Sequence, residues 1–453
     1  MKDLTIGKES NRIFFFALPM LLGNVFQQLY NIVDSVIVGH FIGKEALAAV
    51  GASFPIIFIM ISLIIGVSNG FTIIIAQYFG AKDFNSIIRA IDTMNIVLFI
   101  SSIVLSVVGI ISIDSLFTLL RLPLDVFPMA KQYLQIYLSG LVVFFGYNGL
   151  SAILRGLGDS KTPLYFLILS TLLNIGLDLL FILVFKWGVA GAAYATVISQ
   201  TIAFLALAYY LHKTHDIIKI SFLKFNFDKK LFKTSLKIGL PSGLQHTFVS
   251  LGMMAILGIV NGFGTSVLAA YTVAVRIDSL ASIPAMNFSM ALSTFVGQNI
   301  GANKMFRVKK GLISTLIMSS IISIVVSLVV VFFGKQLMAM FTTDHEVIYI
   351  GESYLIIVCS FYVLFSTMFV FQGALRGAGD TLVPMFITLF ALWVIRIPLA
   401  YFFSKEFGYF GIWWSIPLAW FFGMTFSIIY FFKGNWKSKT LIKHKNSFES
   451  ANI

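Results

Sequence analysis

The stretch NVFQQLYNIVDS, residues 24–35, places five polar side chains inside a long apolar run. These side chains are Asn24, Gln27, Gln28, Asn31 and Asp34. At about 100° per residue they fall within about 120° of one another on a helix. An ionised carboxylate at the centre of a bilayer costs about 2.5–3.5 kcal/mol, so this face must turn toward protein or a water-filled cavity. Interhelical hydrogen bonds would account for the amides, but they account poorly for Asp34.

A second carboxylate lies in the run LLNIGLDLLFILV, where Asn174 and Asp178 are four residues apart and therefore share a helix face. Counted from the ends of their apolar runs, Asp34 and Asp178 lie at comparable depth. Two carboxylates close together in low dielectric cannot both stay ionised without a large cost, and such a pair titrates as one unit. We expect the pair to carry a proton. The same oxygens could instead coordinate Na⁺, and both alternatives stay open.

The elements that must position these residues are membrane-spanning helices. The chain has 453 residues, of which 58% are hydrophobic and 11% charged, and its mean hydropathy is +0.93. This composition is typical of a polytopic membrane protein. Apolar runs of at least about 18 residues predict twelve spanning helices. They cover residues 13–38, 50–76, 88–113, 130–153, 164–185, 189–211, 239–261, 267–296, 311–333, 350–374, 384–403 and 411–432.

The 32 Lys and Arg residues are distributed unevenly between the two sides of a twelve-helix arrangement. With both termini on one side, 24 of them lie on that side, six lie on the opposite side, and Arg276 and Arg396 lie within helices. The positive-inside rule therefore predicts a multi-pass protein of the cell membrane with both termini in the cytoplasm. Topology and attraction to anionic lipid account for the net charge of +13, so no nucleic-acid partner is expected.

Short motifs recur along the chain at a nearly constant spacing. LRGLGDSKTP at 154–163 recurs as LRGAGDTLVP at 375–384, and AQYFGAK at 76–82 is answered by GQNIGAN at 297–303, both at an offset of 221. The chain is therefore predicted to be a duplicated six-helix unit. Because six is even, the two copies share one orientation. Parallel repeats of this kind are typical of transporters, so we expect two lobes around a central cavity.

These observations predict an all-α integral membrane protein with four segments. The N-lobe comprises residues 1–211 and the first six transmembrane helices, and a cytoplasmic Lys-rich linker covers 212–238. The C-lobe comprises residues 239–432 and the other six helices, and a cytoplasmic basic tail covers 433–453.

The repeated RGxGD loops are predicted to lie on the cytoplasmic side, between the fourth and fifth helices of each half. They lack the strand–loop–helix context and the Lys of a phosphate-binding loop, so we interpret them as turns. Within them, Arg155 and Arg376 are expected to pair with Asp159 and Asp380.

Several of these motifs together are similar to one transporter family. The opening ALPMLLGNVFQQLYNIVDSVIVG, the LRGLGD loop, LNIGLDLLFI and GVAGAAYATVISQ resemble the MATE multidrug and toxin extrusion transporters over essentially the whole chain. The resemblance implies an antiporter that exports amphipathic, mostly cationic drugs and toxins in exchange for inward H⁺ or Na⁺. It implies a coupling-ion site formed by Asp34, Asn174, Asp178, Tyr133 and Thr196.

The resemblance also separates two branches of that family. Tyr133 fits the family's tyrosine position, and Tyr137 is an alternative. In the branch with its cation site in the C-terminal half, a Glu lies eight residues after the Pro of the seventh helix. Val249 occupies that position here, which favours a site in the N-terminal half.

The remaining polar and flexible residues of the spans are candidates for a substrate cavity. Arg276 and Asp278 are two residues apart and do not face each other on a helix, so each needs a separate partner, and Arg396 is a candidate for Asp278. Methionines could supply a deformable apolar pocket for varied ligands. The candidate cavity residues are Asn24, Gln27, Asn31, Gln245, His246, Met253, Arg276, Asp278, Met286 and Met290.

Other function classes are less well supported by the sequence. A flippase for a lipid-linked oligosaccharide, from the same superfamily, is the alternative, but it would need a basic cavity for pyrophosphate, and Arg276 and Arg396 are few. No enzyme is expected, because the spans hold no metal-ligand cluster, no Ser/His/Asp set and no cofactor fingerprint. The expected partners are small organic cations, the lipid bilayer and the coupling ion H⁺ or Na⁺. We expect no cofactor or structural metal, and a monomer.

Overall fold

The computed structural model describes residues 2–214 and 226–442, and throughout these residues every regular element is helical. Within these two ranges, ten helices are long and apolar enough to cross a membrane, and two pairs of bent helices bring the number of spans up to twelve. The predicted all-helical membrane fold is therefore confirmed. Part of the predicted linker, residues 215–225, and part of the predicted tail, residues 443–453, lie outside the described residues.

The helices follow one another in the same order in both repeats. Those of the first repeat are α1 (Glu9–Phe41), α2 (Lys44–Gly80), α3 (Phe84–Leu119), α4 (Phe127–Ser139), α5 (Leu141–Gly156), α6 (Lys161–Leu179) and α7 (Gly188–Thr214). Those of the second are α8 (Lys229–Asn261), α9 (Thr265–Gly301), α10 (Met305–Ala339), α11 (His345–Cys359), α12 (Tyr362–Gly377), α13 (Leu382–Leu389), α14 (Ile397–Phe407) and α15 (Tyr409–Lys433). A π-helical segment, Leu180–Val184, extends α6, and another, Phe390–Arg396, joins α13 to α14.

The fourth and tenth predicted spans are bent rather than straight. Helices α4 and α5 meet at 49°, and α11 and α12 meet at 48°. Gly140 stands at the first bend, where a Cβ atom would lie 2.7 Å from Cγ2 of Val197 on α7. The absence of a side chain at Gly140 lets α7 approach the bend closely.

The described chain forms two compact units. Of the described residues, the first unit contains Lys2, 22–79, 83–214 and 226–243, and the second contains 3–21, 80–82 and 244–442.

The two units differ from the predicted lobes in where they place the beginnings of α1 and α8. The first 21 residues, which include the beginning of α1, belong almost entirely to the second unit, although the sequence assigns them to the N-lobe. Residues 229–243, which begin α8, belong to the first unit. Hydropathy could not predict to which unit these helix beginnings belong. It indicates which residues lie in apolar surroundings, but not which helices surround them.

In the first unit, glycines allow α2 and the beginning of α8 to pack backbone against backbone. A Cβ atom on Gly66 would lie 2.8 Å from the carbonyl oxygen of Gly239, and one on Gly70 would lie 2.5 Å from that of Ser235. Small residues four apart are a common solution for close packing of membrane helices. Helix α7 packs against α4, α5 and α6 in the same unit.

In the second unit, the chain before α1 is held by a polar network. Gln298 Oε1 accepts a hydrogen bond from the Leu4 N–H at 3.0 Å. The Arg307 guanidinium donates to Glu9 Oε1 at 2.9 Å and to the Gly7 carbonyl at 2.8 Å. Leu4 itself is buried in the core of this unit. The beginning of α1 is thereby fixed to the second unit.

The predicted ion pairs of the repeated loops are wrong. Asp159 accepts hydrogen bonds from the Lys161 N–H at 3.0 Å and the Thr162 hydroxyl at 2.7 Å, at the start of α6. Asp380 accepts one from the Tyr430 hydroxyl at 2.6 Å. In the part of the chain that the structure describes, no carboxylate lies within 4.0 Å of Arg155 or Arg376. Asp159 finds donors in the next three residues, and Asp380 finds one 50 residues away.

Candidate functional site

The first unit brings the two acidic residues together. Asp34 lies on α1, seven residues before its end, and Asp178 lies in the last turn of α6, just before the π-helical segment Leu180–Val184. Asp34 is 8% exposed and Asp178 is fully buried. Their carboxyl groups are within hydrogen-bonding reach of each other. Two carboxyl groups in contact share a site that holds one negative charge far more easily than two.

Asn174 and Thr196 complete the wall of this site, and both are buried. In the orientation of the Asn174 amide that satisfies both of its ends, its nitrogen donates to Asp178 Oδ2 at 2.9 Å and its oxygen accepts from the Thr196 N–H at 3.1 Å. Asn174 lies one turn before Asp178 on α6, so a single helix presents amide and carboxylate on one face. Thr196 comes from α7, which packs against α6.

Each carboxyl group keeps one unsatisfied oxygen. Oδ1 of Asp34 and Oδ1 of Asp178 are enclosed, and neither has a hydrogen-bond partner in residues 2–214 and 226–442. Nearly all buried polar atoms in proteins are paired, so two enclosed acceptors at one site form a place where a proton or a cation would be stabilised. The donor set of carboxylate, amide and hydroxyl groups suits either.

Three tyrosines lie within electrostatic range of Asp34. Two of them were candidates from the sequence and the third was not. Tyr133 and its alternative Tyr137 are both buried on α4, with ring centroids 6.2 Å apart. Tyr30, on α1, was not identified from the sequence, although its hydroxyl lies 3.3 Å from Thr196 Oγ1. Its position four residues before Asp34 was the available signal, because that spacing places both side chains on one helix face.

The other polar residues predicted on α1 are more accessible than Asp34. Gln27 and Asn31 are exposed and Asn24 is half-buried. The Asn31 amide donates to Gln28 Oε1 at 3.4 Å. The polar face of α1 therefore begins at an accessible surface and ends at the buried carboxyl pair.

The predicted cavity residues of the second unit divide by exposure. Gln245 is buried and its amide donates to Thr388 Oγ1 at 2.7 Å. The rest of the set, apart from Asp278, is exposed: His246, Met253, Arg276, Met286 and Met290.

Asp278 is half-buried and held by tyrosines. It accepts hydrogen bonds from the hydroxyl groups of Tyr354, at 3.4 Å, and Tyr362. Arg396 is within electrostatic range of Asp278 but makes no ion pair with it at 4.0 Å or less. The tyrosine hydroxyls, rather than the predicted arginine, are the direct partners of this carboxylate.

The fold and this site together define a class of protein. A duplicated set of membrane helices that encloses an ionisable pair with open acceptors is the arrangement of a membrane transport protein. The MatE family model matches residues 19–180 and 241–402, once in each repeat. The chain belongs to this family, the MATE transporters, and is a transport protein and not an enzyme.

Individual relatives agree over nearly the full length. The chain is 35% identical to the probable multidrug resistance protein YpnP of Bacillus subtilis, over 98% of this chain and 99% of that protein. It is 33% identical to the probable multidrug resistance protein YoeA of the same organism, over 94% of each chain. A solved outward-facing structure of a multidrug resistance MATE family transporter of the MOP superfamily is similar with a TM-score of 0.88, at 27% identity, over 96% of this chain and 97% of that one.

Proposed function

We propose that this protein is a secondary antiporter that exports amphipathic, mostly cationic compounds in exchange for inward H⁺ or Na⁺. The observation that carries the proposal is the enclosed pair of Asp34 and Asp178, with one unpartnered oxygen on each. A partly satisfied buried polar network destabilises a fold. A coupling ion at this pair would complete it.

The atoms around the pair suit both coupling ions. A single proton between the two carboxyl groups would remove one of two facing charges and satisfy one open acceptor. Sodium, a hard cation that takes oxygen ligands, would be held by Oδ1 of Asp34, Oδ1 of Asp178 and the Thr196 hydroxyl. Both ions carry one positive charge, so the electrostatic consequence for a bound drug is the same.

Coupling follows from competition for this charge. The accessible polar face of α1, with Gln27 and Asn31, would receive an organic cation one to two turns from Asp34. When a coupling ion neutralises the pair, the attraction for the organic cation falls, and the effect is reciprocal by thermodynamic necessity. A membrane potential of ~100 mV supplies about 2.3 kcal/mol for each inward charge, enough for roughly fiftyfold accumulation.

The relatives and the charge distribution support the cellular setting. Two relatives in Bacillus subtilis are named as probable multidrug resistance proteins, which supports drugs as the exported compounds. The excess of Lys and Arg on one side supports a cell-membrane protein with both termini in the cytoplasm. We expect it to act as a monomer. The exposed side chains of Met253, Met286 and Met290 would adapt to varied drugs.

Transport into everted membrane vesicles tests the proposal. A fluorescent cation should accumulate in the vesicles when a pH or Na⁺ gradient is imposed, and the gradient that drives it identifies the coupling ion. Asp34→Asn should abolish gradient-driven accumulation, because it removes the charge that the ion and drug share. Asp125→Asn, the same change at an exposed loop position, is the matched control and should transport normally. Undiminished transport by Asp34→Asn would reject Asp34 as the coupling residue.

A further inference from the structure

The beginning of α8 carries four lysines on one side of the helix. All four are exposed: Lys229, Lys230, Lys233 and Lys237. At about 100° per residue they lie within about 100° of one another around the helix axis, and we call them the α8 lysine face. The opposite side of the same turns is buried, at Leu231, Ser235 and Ile238. The first turns of α8 are therefore amphipathic, with one packed side and one positively charged side.

The acid next to the α8 lysine face is engaged elsewhere. Asp228 Oδ1 accepts hydrogen bonds from the N–H groups of Lys230, at 2.9 Å, and Leu231, at 3.1 Å, and thereby caps α8. Its Oδ2 lies 3.7 Å from Nη1 of Arg89 on α3. Within residues 2–214 and 226–442, no Asp or Glu lies within 4.0 Å of any of the four lysine amines. The charge of this face is therefore not balanced by the part of the chain that the structure describes.

The physics of the helix itself disfavours this arrangement of charge. Lys229 and Lys230 lie in the first turn, at the positive end of the helix dipole, where acidic side chains are stabilising and basic ones are not. Lys229, Lys233 and Lys237 are spaced four residues apart, and like charges at this spacing repel one another. An anion outside the chain would offset both effects.

The two repeats differ at these positions. The offset of 222 that aligns Pro19 with Pro241 places four residues of the first repeat opposite the α8 lysines: Gly7, Lys8, Asn11 and Phe15. One lysine in the first repeat thus corresponds to four in the second. The α8 lysine face is a feature of α8 and not of the repeated scaffold.

The α8 lysine face lies next to the apolar surface of the same helix. Helix α8 has 33 residues, and about 20 are enough to cross the hydrocarbon core of a bilayer. The predicted span begins at residue 239, and Leu240, on the same side of α8 as the lysines, is 44% exposed. The exposed side of α8 changes from charged to apolar within one turn after Lys237. Lipid headgroups lie at such a boundary, because lysine amines extend toward the polar layer of a bilayer.

We propose that the α8 lysine face is a binding site for the headgroups of anionic phospholipids. The amines of the face pair with the lipid phosphate, and Leu240 contacts the acyl chains. Each Lys near an anionic membrane surface strengthens binding roughly fivefold, so two lysines at one headgroup predict a preference of about 25-fold for an anionic over a zwitterionic lipid. This inference does not rest on antiport or on the carboxyl pair of the first unit.

Lipid binding to the purified full-length protein tests this proposal. Native mass spectrometry in detergent counts the bound lipids while phosphatidylglycerol or phosphatidylcholine is titrated. Replacing all four lysines of the face by Gln should weaken the tightest phosphatidylglycerol binding at least about tenfold and leave phosphatidylcholine binding within about twofold. Replacing the same four by Arg keeps the charge and should keep the preference.

A matched control separates this face from the general positive charge of the protein. It replaces four exposed lysines of the second unit by Gln and removes the same total charge: Lys309, Lys310, Lys433 and Lys439. This control should bind phosphatidylglycerol within about twofold of wild type. Equal weakening in both variants, or unchanged binding after replacement of the α8 lysines, overturns the assignment. Should the fourfold α8 variant fail to fold, the double variant Lys229→Gln/Lys237→Gln should weaken binding about fivefold or more.

A second measurement distinguishes the lipid from a soluble anion. Inorganic phosphate and hexaglutamate are titrated calorimetrically into the protein in nanodiscs of phosphatidylcholine. Neither should show saturable binding that depends on the α8 lysines. If either one binds to wild type and to the matched control but not to the fourfold α8 variant, the face recognises a soluble anion and the headgroup assignment is overturned.

Discussion

Replacing Asp178 by Asn should stabilise the protein while it abolishes transport. The wild-type side chain is fully buried, accepts a hydrogen bond from Asn174 at 2.9 Å, and has an enclosed Oδ1 with no partner in the described residues. An Asn side chain keeps the acceptor for Asn174 and turns an N–H donor toward Asp34. It also removes one of two facing charges, so the folded state no longer carries the electrostatic cost of the ionised pair.

The magnitude follows from the unsatisfied oxygen. A buried polar atom without a partner costs about 1–3 kcal/mol, so Asp178→Asn should raise the free energy of unfolding by that amount. At about 2–4 °C for each kcal/mol, the melting temperature should rise by about 2–12 °C. The gain should be largest at alkaline pH, where both wild-type carboxyl groups are ionised. It should shrink as the pH falls, because protonation then neutralises the same charge in the wild type.

Melting curves and transport are measured on the same preparations. Far-UV circular dichroism in detergent gives the melting temperature over a series of pH values, and everted vesicles give gradient-driven accumulation of a fluorescent cation. Asp125→Asn, at an exposed position, should leave both quantities unchanged. A melting temperature that is unchanged or lower at alkaline pH, together with intact transport, would refute the reasoning that the pair is a strained ion site.

Three further predictions concern the surroundings of the site. Tyr30→Phe removes the hydroxyl that lies 3.3 Å from Thr196 Oγ1 and should slow transport severalfold without loss of fold, whereas an unchanged initial rate would assign Tyr30 to packing. Gly70→Ala places a Cβ atom 2.5 Å from a backbone oxygen of α8 and should destabilise the protein by about 1–3 kcal/mol in a thermal melt, while Gly51→Ala, which meets no atom within 4 Å, should not. Asp83→Ala should cost about 1 kcal/mol because the side chain caps α3. Hydrogen bonds from Ser86 lower the pKa of Asp83. The stability that Asp83 contributes is therefore present above the ordinary pKa of Asp and is lost as the pH falls through the lowered value. Thermal melts over a series of acidic pH values that are identical for wild type and Asp83→Ala would contradict this prediction.

Long-range patterns in the sequence predicted the architecture because they integrate over many residues. Each apolar run spans enough length to fix a helix in a bilayer, and the repeated loops at an offset of 221 fix the duplication. The polar face of α1 could be predicted because helical periodicity is regular, and this periodicity identified Asp34 as a candidate site residue from the sequence alone. Asn174 and Asp178 were visible for the same reason.

Features that depend on a single contact could not be predicted in this way. The bend at Gly140 depends on how closely Val197 approaches, and Asp380 accepts from the Tyr430 hydroxyl rather than from Arg376, four residues before it. Neither contact has a periodic signature. That the beginning of α1 belongs to the second unit likewise depends on hydrogen bonds from its neighbourhood to Arg307 and Gln298, which are far from α1 in sequence.

The duplicated scaffold supports different chemistry in its two copies while it keeps one tyrosine in place. Tyr133 and Tyr354 are separated by the repeat offset of 221 and occupy corresponding helices, α4 and α11. In the first unit Tyr133 lies near Asp34, which comes from the first helix of its repeat, whereas Tyr354 donates to Asp278, which comes from the second helix of its own. The tyrosine therefore occupies the same position in both repeats, whereas the carboxylate near it comes from a different helix in each repeat. Among the residues that the structure describes, the acid of the second unit is bound by two tyrosine hydroxyls, whereas Asp34 and Asp178 of the first unit each keep an oxygen without a partner, so the proposed ion site falls in the first copy.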